Sequence, residues 1–215
     1  MPADHTRPTR QRILTEAMRL FGEQGYAATT IAQIEKAAGL SPGSGSLYRH
    51  FRSKYALLTE GVQQQIASGQ QLLSLLDDQT ALAHLPPRER LAVLARAGLD
   101  RLEQERDLNR LLLRDLDRFP DLAAKMRDED IQRMYHAATQ WLAGQADPKG
   151  PKRDWPALAA VLAGAVSIYW LLCDVFGQHP AGIDQDRYVA ALVELAAGLL
   201  DADQPHATSA SKEQP

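Results

Sequence analysis

The chain has 215 residues, with 24 Lys+Arg against 27 Asp+Glu and a formal net charge of −3. That length suits one or two compact domains, and 45% hydrophobic with 24% charged residues excludes a wholly disordered or fibrous chain. Cys173 is the single cysteine, which excludes an internal disulfide or a cysteine-rich metal site and fits a reducing cytoplasm. The acidic balance argues against a nucleic-acid partner only until it is divided. Residues 1–55 carry eight cations (Arg7, Arg10, Arg12, Arg19, Lys36, Arg49, Arg52, Lys54) and four anions (Asp4, Glu16, Glu23, Glu35), a balance of +4 that leaves −7 on the rest. Such asymmetry is the pattern of a basic module on an acidic body.

Residues 1–9 are polar and broken by Pro2 and Pro8, so no secretory leader is expected. Over Thr9–Gln24, Ile13, Leu14, Ala17, Leu20 and Phe21 repeat at helical spacing, and Gly25 stands where a C-terminal cap is wanted. Thr30-Ile31-Ala32-Gln33 has the form of a capping box that opens a short second helix with Ile31, Ile34 and Ala38 inward. Gly39 ends it, and Ser41-Pro42 offers the cap and first residue of a short third helix that turns Leu47 and Phe51 inward. Ser53 caps a fourth helix expected to run to about Leu76. Beyond the break at His84-Leu85-Pro86-Pro87, helices are expected over 88–105, 107–118, 121–143, 156–176 and 184–200. Polar residues divide the last three, and 202–215 reads as a disordered tail. Nothing alternates as a strand does, so the fold class is all-α.

The segment Trp155–Cys173 is uncharged over 19 residues, the lower limit for a bilayer span. Pro156, Gly164 and Ser167 lie inside it and Asp154 and Asp174 flank it. A helix apolar all round can equally be buried between other helices, and burial is the expectation.

The chemistry lies in Thr29–Lys54. Two short helices joined by a glycine-containing turn, under a longer first helix, make a helix-turn-helix unit whose second helix enters the major groove. That second helix opens in Gly43, Ser44, Gly45 and Ser46, small enough for close approach, and ends in Tyr48, Arg49 and His50. The segment resembles the DNA-binding domain of the TetR family of transcriptional regulators. Phe21, Gly25, Thr29, Thr30, Ile34, Ala38, Gly39, Ser41, Leu47, Tyr48, His50, Phe51, Ser53 and Lys54 match that family's pattern, about a quarter of the chain being covered. The resemblance implies a homodimer with a ligand-binding body, released by its ligand from a palindromic double-stranded DNA operator, with repression the family default. At matching positions it implies phosphate contacts from Thr30, Tyr48, His50 and Lys54. Ser41, Ser44, Gly45, Ser46 and Arg49 complete the DNA-facing set. Two departures stand out: the stretch between Ser41 and Leu47 is two residues longer than the pattern, and Glu35 replaces a small alanine. The longer turn leaves the base-reading phase of Ser44, Gly45 and Ser46 open. Glu35 is expected to accept N–H groups from that turn and fix it.

The resulting division is a DNA-binding domain over 1–55, a helical ligand-binding and dimerisation domain over 56–201, and a tail. Helical bundles place ligands between helices. A small, largely apolar ligand is therefore expected among Leu112, Phe119, Met126, Met134, Tyr135, Trp141 and Tyr169, for each of which core packing is the competing role. Asp115, Asp117 or His136 would orient a polar group if they face inward. For the dimer, Ala160, Gly164 and Ser167 form a small-residue stripe, and Leu192, Leu195, Ala196 and Leu199 give the last helix a matching face. Six scattered histidines and no nucleophile motif point to no enzyme, no metal and no cofactor. The expected partners are operator DNA, an unidentified small molecule and a second copy, without a membrane. A helical adaptor that binds only proteins is the competing reading.

Overall fold

The computed structural model describes residues 9–68, 70–146 and 150–201. The expectations for a leader and a disordered tail fall outside them. Among the described residues every regular element is helical: α1 (Thr9–Gln24), α2 (Ile31–Ala37), a 3-10 turn (Ser46–Arg49), α3 (Lys54–Ser68), α4 (Gln70–Asp77), α5 (Pro87–Gln104), α6 (Arg106–Asp115), α7 (Pro120–Met126), α8 (Gln132–Gln145), α9 (Trp155–Phe176) and α10 (Gln185–Asp201). The all-α expectation therefore holds. The helix expected over 107–118 tightens into a 3-10 turn at Leu116–Arg118. The cause is Pro120, which pushes Phe119 out of the helical region to φ −130°, ψ 65°. The helix expected over 121–143 carries a π-helical segment, Arg127–Ile131.

The chain divides into two compact units. The first joins residues up to Leu73 with Asp100–Met134. Its core takes Ile13, Leu14, Ala17, Met18 and Phe21 from α1, Ile34 and Ala38 beside α2, Leu47, Phe51, and Leu57, Leu58 and Val62 from α3. The same apolar cluster runs on into Leu108 and Leu111 of α6 and Leu122 and Met126 of α7. Helices α1 and α6 meet at Gly22, where a Cβ would lie 2.7 Å from the Asp107 Cα and carbonyl oxygen. Near the π segment, Arg101 donates to Glu105 at 3.0 Å and to Asp130 at 2.8 Å, and all three side chains are nearly buried. Loss of water raises the Glu105 carboxyl above its ordinary value, against the opposing pull of Arg101.

The second unit holds Ser74–Leu99 and the described residues from Tyr135 on. Its interior includes Leu91, Ala95 and Leu99 of α5, Trp141 and Leu142 of α8, Tyr169 and Trp170 of α9, and Val189, Leu192, Val193, Ala196 and Ala197 of α10. Arg90 ties down the preceding loop by donating to the Leu85 and Ala83 carbonyls at 2.7 and 2.9 Å. Helix α9 is long and apolar enough to span a bilayer by length and composition, with a mean hydropathy of 2.0. Lone helices of this kind are weak evidence of a span.

Burial of α9 inside the chain, however, does not occur. Only 17% of its most apolar window is fully buried. Neighbouring helices take one stripe through Ala159, Tyr169 and Trp170, while Val161, Ile168, Val175 and Phe176 stay exposed. Ala160, Gly164 and Ser167 are exposed as expected. On α10 the expected outward face is corrected: Leu192 and Ala196 turn inward and Leu195 alone of the four is fully exposed, at 70%. The α-helical period that buries Val189, Leu192, Val193 and Ala196 places Leu195 on the flank of that face, beyond Leu192.

Candidate nucleic-acid interface

Local chemistry sets the start of α2. The Gln33 amide N–H donates to the Thr30 hydroxyl oxygen at 3.2 Å, and the Thr30 N–H donates to the Gln33 side-chain oxygen at 2.7 Å. This reciprocal box satisfies two of the N–H groups that a helix start leaves unpaired. Thr29, buried, donates its hydroxyl to the Gly25 carbonyl at 2.8 Å and so ties the end of α1 to the start of α2.

The turn after α2 departs from a regular helix. Gly43 and Gly45 both adopt left-handed φ, +75° and +72°, which residues with a Cβ rarely reach. Glu35, 0% exposed, fills the inside of the turn. One carboxylate oxygen accepts the Gly43 N–H at 2.7 Å and the other accepts the Leu47 N–H at 3.1 Å, as expected from the sequence. The Ser44 hydroxyl accepts the Ser46 N–H at 3.3 Å and lies 2.6 Å from the Ser46 hydroxyl. Consequently the expected third α-helix is corrected to a single 3-10 turn, Ser46–Arg49. With Gly45 left-handed, no helix begins before Ser46, and little chain remains before Phe51. Leu47 and Phe51 nevertheless point inward, as expected, at 0% and 4% exposure.

This scaffold sets out the expected DNA-facing residues. Ser41, Ser44, Tyr48, Arg49 and His50 are exposed on one short segment, with Tyr48 at 56%. Gly45 and Ser46 are half-buried behind them. Thr30 is exposed at the start of α2, its hydroxyl engaged with Gln33. Lys54 turns inward instead. Its ammonium donates to the Tyr26 carbonyl and lies 4.3 Å from the centre of the Tyr26 ring. Burial pushes that ammonium below the ordinary lysine value, partly offset by the Asp115 charge.

A junction that sequence reasoning missed surrounds Tyr26. Asp115 at the end of α6, nearly buried, accepts the Tyr26 N–H at 2.9 Å. Arg114 donates to the Gly22 and Glu23 carbonyls at 3.3 and 3.1 Å, satisfying acceptors that the end of α1 leaves open. Phe119 packs edge-on to Tyr26 at 4.9 Å and beside Tyr55 at 5.7 Å. Asp115, a candidate for orienting a ligand, is thus committed to a backbone N–H 89 positions away. Asp117 and His136 are exposed.

The candidate ligand-lining residues divide between the units. Leu112, Phe119, Met126 and Met134 belong to the first, where Met126 sits in the core and Leu112 and Phe119 pack against it. Tyr135, Trp141 and Tyr169 belong to the second. Tyr135 is exposed and Trp141 buried, while Tyr169 stacks on Tyr188 at 4.2 Å and donates its hydroxyl to the Ile183 carbonyl at 3.1 Å.

Comparison with known proteins agrees with this geometry. The profile of the family described as bacterial regulatory proteins, tetR family, matches residues 13–60. The chain is 31% identical over 136 residues to a helix-turn-helix-type transcriptional repressor, Rv1474c, of Mycobacterium tuberculosis, covering 50% of this chain and 72% of that one. It is 34% identical over 104 residues to an uncharacterized helix-turn-helix-type regulator, YerO, of Bacillus subtilis, where the match covers 48% of this chain and 35% of the relative's length. Among solved structures, GusR of Salmonella enterica superimposes with a TM-score of 0.65 at 21% identity, over 92% of this chain and 97% of that one, a likeness of fold.

Proposed function

Because the chain belongs to the TetR family of DNA-binding transcriptional regulators, which are not enzymes, we propose that it is a cytoplasmic repressor that binds a palindromic operator as a homodimer and is released by a small, largely apolar ligand. Residues 1–55 act as the reading head and 56–201 as the ligand-binding and dimerisation body. The observation that carries this reading is the joint exposure of Ser44, Tyr48, Arg49 and His50 on a segment whose Leu47 and Phe51 are locked in the core. Tyr48 and His50 position the head by donating to phosphates, and Ser41, Ser44, Gly45, Ser46 and Arg49 approach the groove. Thr30 adds a contact at the start of α2. Lys54 contributes positive potential near the backbone while holding Tyr26.

The dimer reading rests on the apolar surface that α9 and α10 leave bare. Val161, Ile168 and Leu195 are at least half exposed, and beside them Ala160, Gly164 and Ser167 are small enough for close helix approach. A two-fold pair also suits a palindromic site, since half-sites one helical turn apart mirror the protein's symmetry. Support for ligand-driven release is mechanical: α6 grips the end of α1 through Arg114 and Asp115, so a shift of α6 reaches the head directly.

Selection of bound DNA from a random pool, followed by gel shift, tests the reading. The expected result is an enriched palindrome whose affinity falls linearly with salt on logarithmic axes. Tyr48→Ala should abolish the shift while the protein stays folded. Enrichment of no sequence would defeat the proposal.

A further inference from the structure

The two places where this head departs from the family pattern touch each other. Glu35 stands at the small alanine, the turn beyond Ser41 is two residues longer, and the carboxylate of the first is hydrogen-bonded to the backbone of the second at Gly43 and Leu47. We propose that Glu35 is a positioning residue for DNA reading, fixing which side chains of the 43–48 segment are presented to the bases. The proposal rests on the DNA-binding reading above.

A carboxylate suits this task because its two oxygens diverge from one carbon and both only accept. Here they hold two N–H groups four residues apart, one on each side of the left-handed Gly45. Leu47 fixes the far end, with its side chain wholly buried. The near end is tied by the Leu40 N–H, which donates to the Glu35 backbone carbonyl at 2.8 Å. Between those anchors Ser44 and Ser46 pair through their hydroxyls and Ser44 faces solvent, with Tyr48 exposed just beyond Leu47. An alanine at 35 would leave both N–H groups without an acceptor inside the turn. A glutamine would offer one acceptor and one donor, so one bond would survive and the other would become a clash of donors.

The test uses the full chain in three forms: wild type, Glu35→Gln, and Glu35→Ala combined with deletion of Gly43 and Ser44, which restores the family's turn length and small residue together. Each is melted, then put through selection from a random DNA pool, and its affinity for the wild-type sequence is compared with that for unrelated DNA. With a misplaced reading segment the ratio of specific to non-specific affinity in Glu35→Gln should fall by about tenfold or more, the scale of losing one good base contact. Non-specific affinity should fall less, since the phosphate donors Thr30 and His50 lie outside the misplaced segment. Simple unfolding would lower both affinities in proportion and leave the ratio alone. Faster hydrogen exchange at the Gly43 and Leu47 amides of Glu35→Gln is the accompanying structural readout. The combined variant should regain selectivity, for a different sequence. A folded Glu35→Gln that enriches the same sequence with an unchanged ratio overturns the role of Glu35 alone. A wild type that enriches nothing overturns the DNA reading with it.

Discussion

Asp115→Ala isolates the bond that joins α6 to the reading head. In the native chain one carboxylate oxygen accepts the Tyr26 N–H at 2.9 Å, and the other lies 3.4 Å from the Arg118 guanidinium. The Arg118 side chain is 56% exposed, so that pair contributes little, within about 1 kcal/mol. The bond to Tyr26 is different: Asp115 is 4% exposed, and hydrogen bonds to a charged group contribute about 1.5–3 kcal/mol. Alanine removes the acceptor and leaves the Tyr26 N–H unpaired beside Phe119 and the Lys54 side chain, so the loss should total about 2–3 kcal/mol. Asp115→Asn keeps an acceptor oxygen and should cost about 1 kcal/mol. Urea unfolding followed by circular dichroism at constant protein concentration measures both. An Asp115→Ala change within about 0.5 kcal/mol of wild type would show that desolvation of the buried carboxylate cancels its bond, and would refute the argument.

Further expectations concern other parts of the molecule. Arg101→Ala strips two nearly buried carboxylates of their cation and should destabilise the chain by about 3–5 kcal/mol in the same unfolding assay. Glu105 binds its proton more tightly folded than unfolded. Its contribution is therefore full below the ordinary glutamate value and is lost as pH rises through the raised one. Stability measured from acid to neutral pH should fall across that window in wild type by more than in Glu105→Gln. Gly43→Ala meets open space but a left-handed backbone, and should cost about 1–2 kcal/mol with weakened operator binding by gel shift. Leu195→Glu should shift the solution mass by light scattering toward the monomer, while the helical circular dichroism signal remains.

Local rules made much of the head legible. The Thr30–Gln33 box and the bonds of Glu35 join residues within a dozen positions, and the i, i+4 spacing of Leu47 and Phe51 marks their shared face. The 3-10 turn was hidden because Gly43 and Gly45 permit a left-handed backbone without demanding one. The resemblance assigned Lys54 to a DNA phosphate. Its ammonium finds instead the Tyr26 carbonyl and ring, partners that no spacing reveals. The Arg101–Glu105 half of the buried ion cluster has the visible i, i+4 spacing, while Asp130 joins it only through the fold. On α9, composition announces an apolar helix without saying which faces its own chain covers. The α10 period was likewise readable, but its phase was not, and so Leu192 and Ala196 were placed on the wrong side.

The meeting of α1 and α6 at Gly22 has one more consequence. Most helix pairs touch through side chains, whose rotamers yield when one helix moves and soak up small displacements before the next element feels them. At Gly22 the Asp107 backbone comes where a Cβ would stand, so that cushion is missing. A nudge to the first turn of α6 passes into the last turn of α1 without slack, like a gear tooth seated against its neighbour. Gly22 therefore fixes the lost motion of this linkage near zero, and any larger residue there would have to reset the spacing of the two helices before it changed anything else.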